Sequence, residues 1–360
     1  MVIKKLQLSD FRNYEGLDIG FSEGVNLLYG DNAQGKTNIL EAVFMVATTK
    51  SIRGSMERDM IRFGRDEAHI CAHVERNEMT HKIDIHLKKN KPKGLAIDGI
   101  PVRRSAEVLG LLHAISFSPD DLSMMKNGPE ERRRFMDLEL CQMDKIYCSN
   151  LANYNKTLKQ RNELLKTISA KPSMRDTIGV WNEQLVRYGS RLIRTRRKFI
   201  EMLIPIVKEK HAILSDGKEE LKVVYEPNCS ESDFPLLLEK NLERDLALKF
   251  TGNGPHRDDM SLFINDRHVR LYGSQGQQRT TALALKLAEI ELVKSVLKET
   301  PILLLDDVLS ELDRSRQLQL LNEMKDVQTI VTCTGMEEFI ECRPEGNTIY
   351  RVHDNQVSLV

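Results

Sequence analysis

The stretch that decides the fold is Gly30-Asp31-Asn32-Ala33-Gln34-Gly35-Lys36-Thr37. It has the form G-x-x-x-x-G-K-T. The apolar run from Val25 to Tyr29 precedes it and reads as a strand, and Asn38 to Thr48 follows with the composition of a helix. Strand, glycine loop and helix in that order are the context this pattern requires. The physics is direct. Gly30 and Gly35 permit backbone angles that turn the N–H groups of residues 31 to 37 inward around phosphate oxygens. A helix beginning near Lys36 points the positive end of its dipole at the same anion. Lys36 is placed to reach β- and γ-phosphates, and the Thr37 hydroxyl to hold Mg²⁺. Gly30, Asp31, Asn32, Ala33, Gln34, Gly35, Lys36 and Thr37 are therefore the expected nucleotide cradle.

Such a loop needs a carboxylate for the metal. Ile302-Leu303-Leu304-Leu305-Asp306-Asp307 supplies one, with Asp306 at the tip of an apolar strand, where it is expected to hold Mg²⁺ directly or through water. Asp307 is placed to orient an attacking water or accept its proton. The polar turn Ser310-Glu311-Leu312-Asp313 follows. Paired aspartates after a strand also serve as helix caps; the phosphate loop in the same chain decides for the metal role.

Lys36 and Asp306 lie 270 positions apart. A compact nucleotide-binding domain needs far less chain between these elements, so the domain is split by insertions. Residues 69 to 102 alternate apolar and polar side chains in three runs, with Asp98-Gly99 as a hairpin signal, and read as β-rich. Ile3 to Leu8 and Ala114 to Phe117 read as further strands. From about Glu130 to Thr167 and Thr177 to His211, helix formers dominate. Leu140, Tyr147, Leu151, Tyr154, Leu158 and Leu165 recur near a 3.5-residue period. Trp181, Leu185, Tyr188, Leu192, Phe199, Met202 and Ile206 do the same. Pro172 in the link between them suits a reversal, so two readings stand: an antiparallel helical arm, or two ordinary core helices. The expected fold is α/β: an ATPase head over residues 1–125 and 250–360, with a β-rich lobe at about 65–105, split by an inserted α-helical arm over 126–249.

The chain has 360 residues and balances 53 basic against 53 acidic side chains, so any nucleic-acid surface must be local. No apolar run approaches the ~20 residues that span a bilayer, and the N-terminal stretch alternates rather than forming a signal-peptide core. The six cysteines form no CxxC pair, which points to reduced thiols in a cytoplasmic protein.

One loop has no local counterpart for its chemistry. Ser274-Gln275-Gly276-Gln277 opens a helix read over 278 to 297, and a Ser-x-Gly-Gln start suits an anion that nothing adjacent supplies. Phosphate loop, late Ser-x-Gly-Gln element, apolar strand with Asp306, then S-E-L-D resembles the ATP-binding-cassette superfamily, and within it the SMC-type DNA-maintenance ATPases. The stretches FRNY (11–14), SIRGS (51–55), IRFG (61–64), FSPDDL (117–122), RRRFMDLEL (132–140), GPHRDD (254–259) and GSQGQQRT (273–280) narrow the resemblance to the RecF family of bacterial recombination mediators. The resemblance implies ATP and Mg²⁺ as cofactors and an ATP-dependent homodimer. In it, Ser274, Gly276 and Gln277 of one subunit would meet the γ-phosphate held by the other, with Lys36, Asp306, Asp307 and Ser274 as the catalytic set. It further implies binding to gapped or junction DNA, cooperation with RecO and RecR, and loading of RecA in gap repair, replication restart and the SOS response. By the same resemblance Arg53 and His256 belong to loops near the nucleotide edge. The strand Thr329 to Thr334 carries Thr332 and Cys333 where transporter-type relatives place a histidine, and Asp307 is one methylene shorter than their glutamate. Both departures point to slow hydrolysis. The alternative is an ABC-type ATPase of another class, a transporter subunit or an ATP-dependent nuclease.

Between residues 150 and 200 stand 12 Lys and Arg against 3 acids. Arg187, Arg191, Arg194 and Lys198 fall on one helix face, a row able to track a phosphate backbone without reading bases, or simply a solvated face. Arg132, Arg133 and Arg134 form a second basic cluster, open to phosphate contact or to pairing within the chain.

Overall fold

A computed structural model describes residues 1–168, 171–309, 312–334 and 347–360. The chain divides into two compact units, Met1–Leu122 with Ala282–Val360, and Ser123–Thr281.

The first unit holds two six-stranded sheets. One is antiparallel, in the order Tyr14–Gly20, Val2–Phe11, Glu67–Arg76, Met79–Lys88, Lys91–Ile97, Ile100–Val102. Its alternating runs bury Ile70, Ala72 and Val74 and leave His69 and His73 half-buried on the other face. Asp98 and Gly99 both take positive φ, 53° and 80°, as the hairpin signal required.

The other sheet is ordered Gln356–Leu359, Thr348–His353, Val25–Tyr29, Thr329–Cys333, Ile302–Asp306, Ala114–Phe117, and is parallel except for the edge hairpin. Its central strands are buried along nearly their whole length, Asn26, Thr329 and Thr332 included, because both faces are covered. The helix Lys36–Thr48 is buried along nearly its whole length. The helix Gln275–Leu297 is buried all round from Thr280 to Ile290. A helix without a polar face is one wrapped in core.

The second unit pairs the helices Lys145–Ile168 and Ile178–Leu214. Arg161 meets Asn182, Tyr154 lies against Gly189, and Tyr147 meets Arg196, so the two run antiparallel. The seam departs from its expected register at one end. Met202 is exposed while Leu203 and Val207 are buried, because a 3.6-residue helix drifts away from a 3.5-residue repeat.

The unit is also larger than a helical arm. Strand Leu221–Glu226 pairs with Asp259–Ile264, which pairs with Arg267–His268. A lone strand would leave its backbone groups unpaired, so residues 250–281, expected with the head, fold with the insertion. The buried centre of this unit is ionic. Arg196 is 2% exposed and donates to Asp137, Asp258, the Tyr147 hydroxyl and the Pro255 carbonyl. Arg161 is fully buried and pairs with Asp245 at 2.7 Å.

Candidate nucleotide site

The strand Val25–Tyr29 ends at Gly30, and Gly35 precedes the helix Lys36–Thr48 with φ of 101°. A β-carbon at Gly35 would come within 2.7 Å of Asn13 Nδ2 and 2.9 Å of the Tyr14 hydroxyl. Only glycine meets both the backbone angle and the space. Lys36 is 5% exposed, and its Nζ donates to the carbonyls of Gly30 at 2.5 Å and Asp31 at 2.8 Å. Asp31, Asn32 and Ala33 are exposed, so the loop's rim faces solvent.

The carboxylate arrives from across the sheet. Thr37 Oγ1 donates to Asp306 Oδ1 at 2.8 Å. Thr332 Oγ1 donates to the same oxygen at 2.8 Å and accepts from the Asp307 backbone N–H at 3.0 Å. Asp307 has φ of 51°, a left-handed conformation that aspartate tolerates better than most residues. Thr332 is fully buried. In sequence Thr332 stands out only for not being a histidine; in space it clips the Asp306 carboxylate and the backbone of Asp307 in one geometry.

Hard oxygens from Thr37 and Asp306 suit a small divalent cation. Mg²⁺ takes one or two protein oxygens and completes its shell with phosphates and water. A glycine loop of this kind can present backbone N–H groups to the phosphates. The residues therefore fit a Mg²⁺–nucleotide.

Two further ties were invisible in sequence. Arg12 donates to Glu41, at 2.7 and 2.8 Å, and to Ser55, while Ser51 also donates to Glu41. Glu41 is fully buried on the helix after the loop, so FRNY and SIRGS meet at one carboxylate. Arg53 is exposed on that anchored loop. Gln34 accepts from the backbone N–H of Asp354 at 2.7 Å.

The structure thus brings Lys36, Thr37, Asp306 and Asp307 together in the first unit. Ser274, Gly276 and Gln277 belong to the second. There Ser274 Oγ accepts from the Gln277 N–H at 3.2 Å and Gln277 Oε1 accepts from the Ser274 N–H at 2.9 Å. This is a capping box, which fixes the start of the helix Gln275–Leu297. Ser274 and Gly276 are exposed. Asp313 caps the helix Arg314–Glu323, its Oδ1 accepting from Arg316 N; Ser310 and Glu311 lie outside the described residues.

His256 lies in the second unit, where hydrogen bonds hold both of its ring nitrogens. Its Nδ1 sits 2.7 Å from the Tyr154 hydroxyl and its Nε2 3.0 Å from the Thr251 carbonyl, and burial pushes its pKa down to about 4. The rest of GPHRDD is likewise structural: Asp258 takes Arg196 and Tyr225, and Asp259 takes Arg132. Pairing within the chain therefore accounts for Arg132, and Arg133 donates to the Asp258 carbonyl. On the long helix Arg187, Arg191, Arg194 and Lys198 are exposed, with Arg194 paired to Glu231 at 2.7 Å. Arg161 and Arg196, counted in the basic excess, are buried and paired, so the surface carries fewer cations than the composition suggested.

The RecF/RecN/SMC N terminal domain family matches residues 2–358. The DNA replication and repair protein RecF of Lachnoclostridium phytofermentans is 59% identical over 352 residues, 98% of each chain. That of Lachnospira eligens is 55% identical over 359 residues, 99% of each chain. This chain belongs to the RecF family of DNA replication and repair proteins. Full-length RecF likeness selects the repair family over the transporter and nuclease readings. A solved structure of the recombination mediator protein RecF-ATPrS in the RecFOR pathway matches with a TM-score of 0.92 at 34% identity, covering 100% of this RecF-family chain and 98% of that one. One of RecF-ATP matches equally well, at 0.92 and 34%, covering 99% and 97%. The Smc head of Pyrococcus furiosus matches at 0.57 with 18% identity, covering 99% and 95%, a likeness of fold.

Proposed function

We propose that this chain is an ATP-switched DNA clamp that binds Mg²⁺–ATP on Gly30–Thr37 and Asp306 and hydrolyses it slowly. The observation that carries the reading is the Thr37–Asp306–Thr332 cluster at the mouth of the glycine loop. RecF relatives described as RecF-ATP support the nucleotide. Bound Mg²⁺ would neutralise phosphate charge, and Asp307 would orient the attacking water. ATP joins two copies, each exposed Ser274-Gln275-Gly276 facing the other's phosphate loop. The clamp acts in the cytoplasm on gapped or junction DNA with RecR and RecO, helping to load RecA. Among the described residues no helix is long and apolar enough to cross a membrane. Size-exclusion chromatography with and without ATP, then with gapped duplex, tests the reading; a chain that stays monomeric with ATP and passes DNA unretained overturns it.

The metal arrangement has its own test. Thr332→Val keeps shape but removes the donor to Asp306 and the acceptor for Asp307. The expected loss is about tenfold in Mg²⁺-dependent hydrolysis, the size of one to two hydrogen bonds. Nucleotide affinity in EDTA should not move, and Thr332→Ser should restore the rate. Equal losses with and without metal would remove the clip.

For DNA, the exposed row on Ile178–Leu214 supports a backbone-tracking role. Arg191→Glu with Arg194→Glu should weaken binding to gapped duplex, and the log–log salt slope should fall by about 2, one for each phosphate that is no longer neutralised. An unchanged slope would take this helix out of the footprint.

A further inference from the structure

The C-terminal hairpin, strands Thr348–His353 and Gln356–Leu359, does more than finish the sheet. Its strand Thr348–His353 pairs in parallel with Val25–Tyr29, with Arg351 opposite Tyr29. The hairpin turn is therefore carried past the end of that strand, alongside the phosphate loop. The turn residues Asp354 and Asn355 have φ of 46° and 59°, the pair of left-handed angles of a type I′ turn.

Three ties join this turn to the loop. At the loop's start, a β-carbon on Gly30 would overlap the Val352 carbonyl oxygen, so the two backbones touch. At its middle, the Asp354 N–H donates to Gln34 Oε1 at 2.7 Å. At its end the link is a row of amides: Asn13 Nδ2 donates to Asn355 Oδ1, and Asn38 Nδ2, in the first turn of the helix, donates to Asn13 Oδ1 at 2.6 Å. The glycine loop has few side chains of its own to pack and takes its shape from what surrounds it. A loop held in the bound shape loses less freedom when it closes on a ligand.

We infer that the Val352–Asn355 turn is a latch that sets the phosphate loop for nucleotide, with Asn355 and Gln34 as positioning residues. The inference rests on the nucleotide reading above. It assigns a binding role to a hairpin some 320 positions from the loop it holds.

The test uses the full chain. Asn355→Gly keeps the turn, since glycine accepts the left-handed angle without strain, and removes only the amide. Titration with fluorescent ADP and fluorescent ATP should show affinity weakened about three- to tenfold for both, the value of one hydrogen bond. The melting temperature without nucleotide should hold within about 2 °C or rise. Gln34→Met cuts the second tie and should weaken both nucleotides similarly; it carries the test should the glycine variant misfold. A latch that serves only stability would lower the melting temperature and leave affinity unchanged, and that result overturns the inference. So does unchanged affinity in both variants. A parent chain that binds neither nucleotide refutes the nucleotide reading instead, and the latch with it.

Discussion

Lys36→Met is expected to reduce ATP hydrolysis by about 10²- to 10³-fold, the loss seen when one preorganised electrostatic donor is removed from a developing charge. Methionine preserves the length and apolar stem of a side chain that is 5% exposed, so packing beneath the loop survives. What goes is the ammonium. Its hydrogens now sit on the carbonyls of Gly30 and Asp31, both part of the loop that would receive the phosphates. Those carbonyls are turned inward with the charge and need it there. A phosphate arriving beside them without Lys36 meets two negative dipole ends. Binding and rate should therefore fall together, and ATP should no longer join two copies. Single-turnover hydrolysis with excess protein measures the rate, and equilibrium titration measures the affinity. Hydrolysis within fivefold of the parent would exclude Lys36 from the reacting phosphates and with it the placement of nucleotide on this loop.

How far such a site was legible in sequence depends on the range of its contacts. Val25–Tyr29 and Ala114–Phe117 carry the bounds expected of them, because a short apolar run between polar turns has little freedom in register. The phosphate loop and Asp306 are likewise local patterns, each a strand tip with one residue in a fixed place. Thr332 and Asn355 were not legible. Nothing in their own segments distinguishes a threonine in a buried strand or an asparagine in a turn; each gains a role from a partner brought in by strand pairing, 26 positions away for Thr332 and 342 for Asn355. Charge counting failed for the opposite reason. The segment 150–200 carries 12 Lys and Arg against 3 acids, yet two of those cations, Arg161 and Arg196, are buried in ion pairs. A cation count does not distinguish a row facing water from two guanidiniums sunk among aspartates. The polar letters of GPHRDD likewise have partners hidden from the sequence: His256, Asp258 and Asp259 all enter hydrogen bonds that hold helices and strands of the second unit together.

The same distinction between local and borrowed geometry governs Ser274→Arg, for which ATP-induced dimerisation should weaken by at least about 100-fold, or 2.7 kcal/mol. Within one chain Ser274 has a modest job. Its hydroxyl caps the Gln275–Leu297 helix by accepting from Gln277, and its own N–H is held by the Gln277 side chain. Arginine keeps the N–H and loses the hydroxyl, a cost of about 1 kcal/mol, too little to unfold a helix buried from Thr280 to Ile290. ATP should therefore still bind the monomer. Across two chains the demand is far stricter. Ser274 and Gly276 are exposed and small, and a backbone N–H at a helix start reaches a phosphate only when no bulky side chain stands between them. A guanidinium on a long stem props the surfaces apart. Ser274→Ala separates bulk from chemistry: it removes the hydroxyl alone and should cost about tenfold. Sedimentation with ATP, ADP and no nucleotide reads all three proteins. If the arginine variant dimerises with ATP like the parent, the loop does not meet the other copy's phosphate, and the clamp must close through some other surface. If it loses ATP binding as a monomer, Ser274 serves the nucleotide of its own chain.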